Sequence, residues 1–273
     1  MERLTRRAVA TIRENYHEPL ALDDLARSVM MSKFHFIRVF QRTTGVTPGR
    51  FLSAVRLHEA KSLLIHSSLN VAEISARVGY SSASTFSRRF TAAVGLSPTR
   101  FRRAGRCDTL EGPRITPAPA GCGALGSVAG TVRTPERSRY PVCLGLFDGP
   151  ILQGQPVAWT TLDRAEAFEL RSVPPGAWHL HAVTLGTRAT GDQWGDSPLL
   201  VGTVGPVHVD AGVRTRADVT LRREDWTRPP VLLALPGFGS RPARPPADGA
   251  CPAAPHAPGG GLRVPRRRSA AGA

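Results

Sequence analysis

The sequence lacks several features that define common classes of protein. Its four cysteines are scattered without CxxC spacing, which argues against a disulfide scaffold and against a cysteine zinc module. No run approaches the roughly 18 apolar residues of a membrane span, and the charged N-terminus has no signal-peptide apolar segment. We therefore expect a cytoplasmic protein with free thiols.

Catalytic motifs are missing as well. The chain has no GxSxG, no HExxH, no glycine-rich phosphate loop and no Ser-His-Asp ordering. Nucleophilic, nucleotide-dependent and zinc-hydrolase chemistry therefore have no motif to support them. We expect no enzyme, no cofactor, no catalytic residues and no metal ligands.

The excess of basic over acidic residues lies mainly in the first part of the chain. The 273 residues carry a net charge of +15. Residues 1–106 hold 18 Lys or Arg against 7 Asp or Glu, residues 107–233 hold 12 against 13, and residues 234–273 hold 6 against 1. A local basic excess is typical of a nucleic-acid-binding domain fused to a second domain. On charge alone, a merely soluble basic surface remains an equal alternative.

The first hundred residues contain an internal repeat at an offset of 50. The matching pairs are Phe36/Phe86, Phe40/Phe90, Gly45/Gly95, Thr47/Ser97, Pro48/Pro98, Arg50/Arg100 and Phe51/Phe101. Upstream the offset falls to 49, so one short turn differs in length. Each copy is expected to be one supersecondary unit.

Each copy has the pattern of two short helices joined by a tight turn. In the first copy, residues 22–29 have helical apolar spacing, Ser32 is a candidate N-cap of the next helix, and Gly45 ends it. In the second copy, residues 70–73 predict a capping box, Gly79 supplies the turn, and Ser81 or Ser82 caps the following helix. The sequence predicts two successive helix-turn-helix units.

A single long helix is predicted between the copies. Thr47 is a candidate cap, Pro48 occupies the first helical position, and apolar spacing continues through residues 51–67. About 20 residues span roughly 30 Å, close to the ~34 Å between successive major-groove faces of a duplex. Such a helix could hold both units on one side of DNA. His58 and His66 on this helix are interpreted as surface residues.

Residues 25–52 and 74–102 resemble the DNA-binding domain of the AraC/XylS family of transcriptional regulators. The resemblance covers residues 5–104 and includes both units, the linker helix and both terminal Gly-x-x-Pro turns in order. Its main departure is Met30, where many members carry glycine, which leaves the geometry of the first turn open. The resemblance implies a monomeric module that inserts the second helix of each unit into adjacent major grooves.

The resemblance also implies which side chains contact DNA. Base edges are expected to be contacted by Phe34, Ile37, Arg38, Ser84, Thr85 and Arg88. Arg38 and Arg88 are the strongest candidates because a guanidinium binds guanine O6 and N7 bidentately. Backbone or groove contacts are expected from Ser32, Lys33, His35, Arg50, Ser82, Ser87, Arg100, Arg102 and Arg103, which would orient the module without specifying sequence. His35 is a groove-facing or solvated residue in this interpretation.

From residue 122 to residue 222, short alternating apolar runs separated by Gly and Pro predict β-strands. The phrases VPPGAWHLHAV and VHVDAGVRTRADVTLR are similar to carboxypeptidase-regulatory-like sandwiches. His179 and His181 face one side of a strand and, with His208, are candidate transition-metal ligands, although an unremarkable pair of histidines on a sheet face is the simpler interpretation.

The overall expectation is a multidomain protein. An all-α double helix-turn-helix domain at 1–106 is followed by a linker at 107–121, an all-β sandwich at 122–233, and a disordered Pro/Gly/Arg-rich tail at 234–273. The expected function is sequence-specific regulation of transcription, with double-stranded promoter DNA as partner. RNA polymerase and an unidentified small-molecule effector are further candidate partners. The sandwich is then a sensor or an interaction module, and the alternative is a metal-binding or enzymatic β domain.

Overall fold

The computed structural model describes residues 2–106, 124–134, 141–184, 200–223 and 225–235, and its first part is helical. The helices there are α1 (Glu2–Glu14), α2 (Leu22–Ser28), α3 (Lys33–Thr44), α4 (Pro48–His66), α5 (Val71–Arg77), α6 (Ala83–Val94) and α7 (Pro98–Arg106). The pairs α2–α3 and α5–α6 are the two copies of the repeat, and α4 connects them. The predicted linker at 107–121 lies outside the described residues.

The ends of the helices follow the local sequence closely. Gly45 and Gly95 terminate α3 and α6 in the left-handed conformation, with φ of 84° and 86°. The predicted capping box at the start of α5 is formed, since the Glu73 N–H donates to Asn70 Oδ1 at 2.9 Å and the Asn70 N–H donates to Glu73 Oε2 at 2.7 Å. These ends depend on neighbours in sequence, which is why the pattern predicts them.

Three candidate caps have different outcomes. Ser82, rather than Ser81, caps α6 by accepting a 3.3 Å hydrogen bond from the Thr85 N–H. Ser32 and Thr47 occupy the N-cap positions of α3 and α4 with extended backbone, but neither side chain accepts a hydrogen bond from its helix. The expectation of side-chain capping at Ser32 and Thr47 is therefore wrong, although both helices begin where it placed them.

The turn within each copy places one residue in the left-handed backbone region. Gly79 occupies this position in the second copy with φ of 84°, and Met30 occupies it in the first with φ of 54°. Left-handed backbone costs a residue with a side chain about 1–2 kcal/mol. The Met30 side chain is 93% exposed, so its packing offsets little of this cost. The first turn thus keeps its left-handed geometry in spite of the methionine.

The helical core repeats the pattern of the sequence. In each copy, two phenylalanines of the second helix and one of the following helix contact one another in a row, with ring centroids 5.5–5.6 Å apart. These side chains are Phe36, Phe40 and Phe51 in the first copy, and Phe86, Phe90 and Phe101 in the second. All six are fully buried, so each copy contributes an equivalent aromatic centre to a single core.

Helix α4 is the structural link between the copies. Its 19 residues span about 28 Å. It packs against α3 in the first copy, against α5 in the second, and against α1 and α7 at the two ends of the helical region. Among the helices that the structure describes, none is long and apolar enough to cross a membrane.

The rest of the described chain is rich in β-structure, as the alternating runs predict. The strands are β1 (Gly126–Arg133), β2 (Val142–Phe147), β3 (Ala158–Leu162), β4 (Ala167–Val173), β5 (Gly176–Thr184), β6 (Leu200–Val209), β7 (Arg214–Arg216), β8 (Val219–Thr220) and β9 (Arg222–Arg223). One sheet has the order β4-β1-β7 with β8 also paired to β1, and the other has the order β3-β2-β5-β6-β9. The Pro174-Pro175 turn connects β4 of the first sheet to β5 of the second.

The two sheets share one apolar core. Val128 and Phe168 from the first sheet and Leu144, Leu180 and Val207 from the second belong to a single buried cluster. Strand β2 is buried along its whole length, which means that both of its faces are covered. One face of β2 packs in the shared core, and the opposite face packs against a different part of the chain.

Residues 231–235, which we call the connecting segment, pack against both this face of β2 and the helical core. Val231, Leu233 and Leu235 pack with Cys143 and Phe147 on the β2 side. The intervening residues, Leu232 and Ala234, belong to the helical core instead. The alternation matches an extended chain, whose successive side chains point to opposite sides. Ala234 and Leu235 are therefore buried, although the sequence assigns them to the tail, and the rest of that tail lies outside the described residues.

Backbone and side-chain hydrogen bonds hold the connecting segment against the helices. The Ala234 N–H donates to the Val94 carbonyl at 3.1 Å. On α4, the Lys61 ammonium group donates to the carbonyls of Val231 and Leu233 at 3.3 and 3.1 Å. Lys61 is only 5% exposed, so these bonds stabilise a charge that burial would otherwise penalise.

The prediction that His58, on the same helix, lies on the surface is wrong, because the residue is half-buried. Its Nδ1 atom is buried. Burial is the main cause that lowers its pKa to about 4, with a smaller effect from the charge of Lys61, while a hydrogen bond with the Val231 backbone acts in the opposite direction. His66 is exposed, as expected.

Met30→Gly is expected to raise the free energy of unfolding by up to about 1 kcal/mol. Glycine relieves the left-handed backbone, and the gain is reduced by the greater freedom that it gives the unfolded chain. Gly79→Ala, the matched change in the second copy, should destabilise the fold, because its Cβ would lie 2.8 Å from the His17 carbonyl oxygen. Urea unfolding of both variants measures the difference. A destabilised Met30→Gly variant would contradict the assigned turn geometry.

The stability of the fold should fall as the pH drops from 6.5 towards 4. His58 is neutral in the folded state, and its folded pKa of about 4 lies below the ordinary value of 6.5, so its contribution is complete above pH 6.5 and is lost as the unfolded state takes up the proton. The expected loss between pH 7 and pH 5 is about 2 kcal/mol for this group. Urea unfolding at both pH values should show a smaller loss for His58→Gln than for wild type. The control His66→Gln should retain the wild-type dependence, and an equal loss in both variants would refute the assignment.

Candidate nucleic-acid interface

Helix α3 has one face in the core and an opposite face in solvent. Phe36 and Phe40 are buried, which turns Phe34 and Arg38 outward. The Phe34 side chain is 79% exposed, and Ile37 beside it is half-buried. An exposed phenylalanine at the start of a helix can contact thymine methyl groups in a major groove, and an exposed arginine can bind guanine.

Helix α6 has the same arrangement with smaller side chains. Phe86 and Phe90 are buried, Ser84 and Arg88 are exposed, and Thr85 is half-buried. The Thr85 backbone is fixed by the cap of the helix. All six residues expected to contact bases therefore lie on the outward faces of the two helices, none of them enclosed in the core.

The residues flanking the base-contacting positions are also accessible. Ser32 and Lys33 are exposed and His35 is half-buried. The Lys33 ammonium lies 3.3 Å from the Asp23 carboxylate, an exposed ion pair that a phosphate could replace at little cost. In the second copy, Ser82 and Ser87 are half-buried. The Ser82 and Ser84 hydroxyls are hydrogen-bonded to each other, with their Oγ atoms 2.7 Å apart.

Charge on the two helices is of one sign. Neither α3 nor α6 contains an acidic residue, while α3 carries Lys33, Arg38 and Arg42, and α6 carries Arg88 and Arg89. All five side chains are exposed. Arg42 was not among the expected contacts, although its position four residues after Arg38 places it on the same helical face. The outward faces therefore attract phosphate along their length.

The expected phosphate contacts divide into three groups. Arg100 and Arg103 are exposed on α7 and accessible to a ligand. Arg50 is exposed at the start of α4, but its guanidinium is turned towards the β-region, with Nη2 3.2 Å from where a Cβ on Gly149 would lie. Arg102 is half-buried and turned back onto the protein. Its guanidinium donates to the Leu64 carbonyl in the last turn of α4, at 3.0 Å, and to the Leu69 carbonyl in the chain that follows.

The three histidines that are candidate metal ligands do not form one cluster in the part of the chain that the structure describes. His179 and His181 do lie on one side of β5, with ring centroids 6.4 Å apart. His208 is paired opposite Ala177, two residues before His179 on β5, and is exposed. Within the described ranges, no three His, Cys, Asp or Glu side chains form a group that could hold a metal ion.

Comparison with known proteins assigns the helical region. Residues 25–104 match a family model described as a helix-turn-helix domain. The match ends before the first β-strand.

Curated relatives are similar over the same length of chain. The lactose operon transcription activator of Staphylococcus xylosus is 34% identical over 95 residues, which are 35% of this chain and 34% of that protein. The MmsAB operon regulatory protein of Pseudomonas aeruginosa is 37% identical over 94 residues, 34% of this chain and 31% of that protein. The chain spans about a third of the length of these relatives.

Among solved structures, the DNA-binding domain of AdpA, a global transcriptional factor crystallised in complex with a target DNA, is 31% identical. The alignment covers 40% of this chain and 97% of that chain, with a TM-score of 0.37.

Arg102→Ala should lower the free energy of unfolding by about 1–2 kcal/mol, because it removes hydrogen bonds from a charged group to backbone carbonyls. Arg103→Ala, at the neighbouring exposed position, should leave stability unchanged. Urea unfolding in the absence of DNA measures both. Equal stabilities of the two variants would contradict the structural role of Arg102.

Proposed function

We propose that this chain, whose residues 25–104 match a family model described as a helix-turn-helix domain and resemble the AraC/XylS family in sequence, is a sequence-specific regulator of transcription that binds double-stranded promoter DNA. The observation that carries the proposal is the pair of equivalent helices, α3 and α6. Each presents an exposed, acid-free face whose composition suits a major groove. In this proposal α3 and α6 enter adjacent grooves on one side of the duplex.

The position of α4 supports a single binding unit. It contacts both copies and spans about 28 Å, close to the ~34 Å between successive turns of a major groove. The two contact faces are then presented together by one chain, and a monomer is sufficient to occupy both grooves. Phe34, Ile37 and Arg38 would contact bases in one groove, and Ser84, Thr85 and Arg88 in the other.

Phosphate contacts supply affinity in this proposal. Arg100 and Arg103 are placed to bind the DNA backbone, together with Ser32, Lys33, His35, Ser82 and Ser87 near the starts of the two helices. The structure favours revising the roles of Arg50 and Arg102. Arg102 supports the helix ends from within, and Arg50 faces the β-region while remaining exposed.

The β-region is proposed to be a sandwich that acts as a sensor or an interaction module. Its two sheets bury one core, and its strand-turn-strand sequences resemble carboxypeptidase-regulatory-like sandwiches. The connecting segment packs in the helical core on one side and against β2 on the other, and in this proposal that packing couples the two regions. RNA polymerase is a further proposed partner.

Arg88→Ala should relax base preference at one position of the binding site, costing about 1–3 kcal/mol at the preferred base. Arg103→Ala should weaken binding to every sequence and reduce the slope of log affinity against log salt by about one phosphate contact. Sites are first selected from random duplex DNA with the full chain, and affinities are then measured by fluorescence anisotropy over a salt series.

The exposed Arg164, outside the helical region, supplies the control Arg164→Gln, which should leave both quantities unchanged. If the full chain enriches no sequence over bulk DNA at roughly 150 mM salt, sequence-specific binding is refuted.

A further inference from the structure

A cleft lies between the helical region and the five-stranded sheet. Its volume is about 890 Å³, and its walls come from the end of α3, the turn into α4, strands β5 and β6, and residues near the connecting segment. Small-molecule sites in proteins typically enclose roughly 300–1,000 Å³. The cleft is large enough for a metabolite.

The charged residues in the lining are mostly arginines. The full set is Arg50, Arg222, Arg223, Arg228, Asp218 and Asp225. Arg228 reaches towards the end of α3, since its Nη1 lies 3.9 Å from where a Cβ on Gly45 would be. Arginine binds carboxylate and phosphate groups bidentately, so this composition favours an anion.

The two aspartates already have protein partners. Asp218 accepts a 2.9 Å hydrogen bond from the Thr131 N–H, which is the main cause that lowers its pKa, and its carboxylate lies 3.4 Å from Arg216 and 3.7 Å from Arg133. Arg133 and Arg216 are not part of the cleft lining. Asp225 accepts from the Thr227 N–H at 2.9 Å, and its carboxylate also interacts electrostatically with Arg228. With four arginines against two aspartates, the lining keeps a net positive charge.

A neutral histidine forms the polar floor of the cleft. His181 Nε2 donates to the Gly149 carbonyl at 2.8 Å, which leaves Nδ1 to accept from the Thr203 hydroxyl at 2.9 Å. Burial lowers the pKa of His181 to about 4. Beside it, the Nδ1 atom of His179 is buried without a partner among the described residues.

Apolar side chains complete the walls. Val46 comes from the helical region, Leu152 from the loop after β2, Val201 and Val204 from β6, and Val231 from the connecting segment. A mixture of apolar walls and a few convergent polar groups is typical of sites that bind organic molecules rather than inorganic ions alone.

We propose that this cleft binds a small organic anion, namely a carboxylate or phosphate group attached to an apolar body, with Arg222 and Arg228 holding the anionic group. The body of the ligand packs against the valines and Leu152, over the histidine floor.

A ligand bound in this cleft would affect DNA binding, because the cleft lies next to the end of α3; this consequence rests on the proposed function. The lining includes Thr44, Gly45 and Thr47, where α3 ends and the chain turns into α4. A ligand at this turn contacts the end of the helix that is proposed to enter a major groove. By linkage, DNA and the anion must alter the affinity of each other by the same factor.

The test uses the full chain and four probes at matched ionic strength: benzoate, phenyl phosphate, uncharged benzamide and sodium chloride. At ~10 mM and a Kd near 1 mM, benzoate or phenyl phosphate should raise Tm by about 3 °C, while benzamide and chloride should not. The response to the two anions distinguishes carboxylate from phosphate recognition.

The double variant R222Q/R228Q should lose the Tm shift, whereas the control R164Q, at an exposed arginine outside the cleft, should retain it. Three results would overturn the proposal: no shift with either anion, an equal shift with benzamide, or a shift that survives in R222Q/R228Q.

Failure of this proposal is distinguishable from failure of the proposed function. DNA affinity measured without any probe tests the regulator alone, and the Tm shifts are measured without DNA. A chain that selects DNA sites but binds no anion would leave the regulator intact and exclude the cleft as a ligand site.

Discussion

The structure depends on one central helix, α4, that the two copies of the repeat share. Phe51 near its start joins the aromatic row of the first copy, and Leu64 near its end is buried where α7 of the second copy packs. A helix in van der Waals contact along both ends cannot bend without opening the core. The spacing of α3 and α6 is therefore fixed by packing, and the outward faces of both helices are presented together.

The connecting segment extends this constraint to the β-region. Alternate side chains of the segment pack in the helical core and against the outer face of β2. The Lys61 ammonium group of α4 donates hydrogen bonds to two of its carbonyls. An extended chain that is buried on both sides has no freedom to slide relative to either region. The helix that links the two copies of the repeat thus also holds the element that joins them to the sheets, and the proposed anion cleft lies beside this junction.

Features determined by near neighbours in sequence were predictable. The repeat, the glycines that end α3 and α6, the capping box at Asn70 and the buried phenylalanines all follow from spacing and local hydrogen bonding. Features that depend on distant partners were not. Arg102 was expected at a phosphate but donates to carbonyls near the end of α4, His58 is half-buried beside a segment about 170 residues later in sequence, and Ala234 belongs to the core. The apolar run at 231–235 was the one available signal for that packing. The cleft, too, is assembled from residues far apart in sequence.

The central claim is that α3 and α6 bind adjacent major grooves at a fixed separation, and the most direct measurement is affinity as a function of that separation. Once a preferred duplex is selected, about 5 bp, half a helical turn, are inserted between the two contacted segments. The account predicts that affinity falls to that of DNA carrying one segment alone, because α4 prevents α6 from following the rotated groove. Unchanged affinity for the lengthened duplex would contradict it.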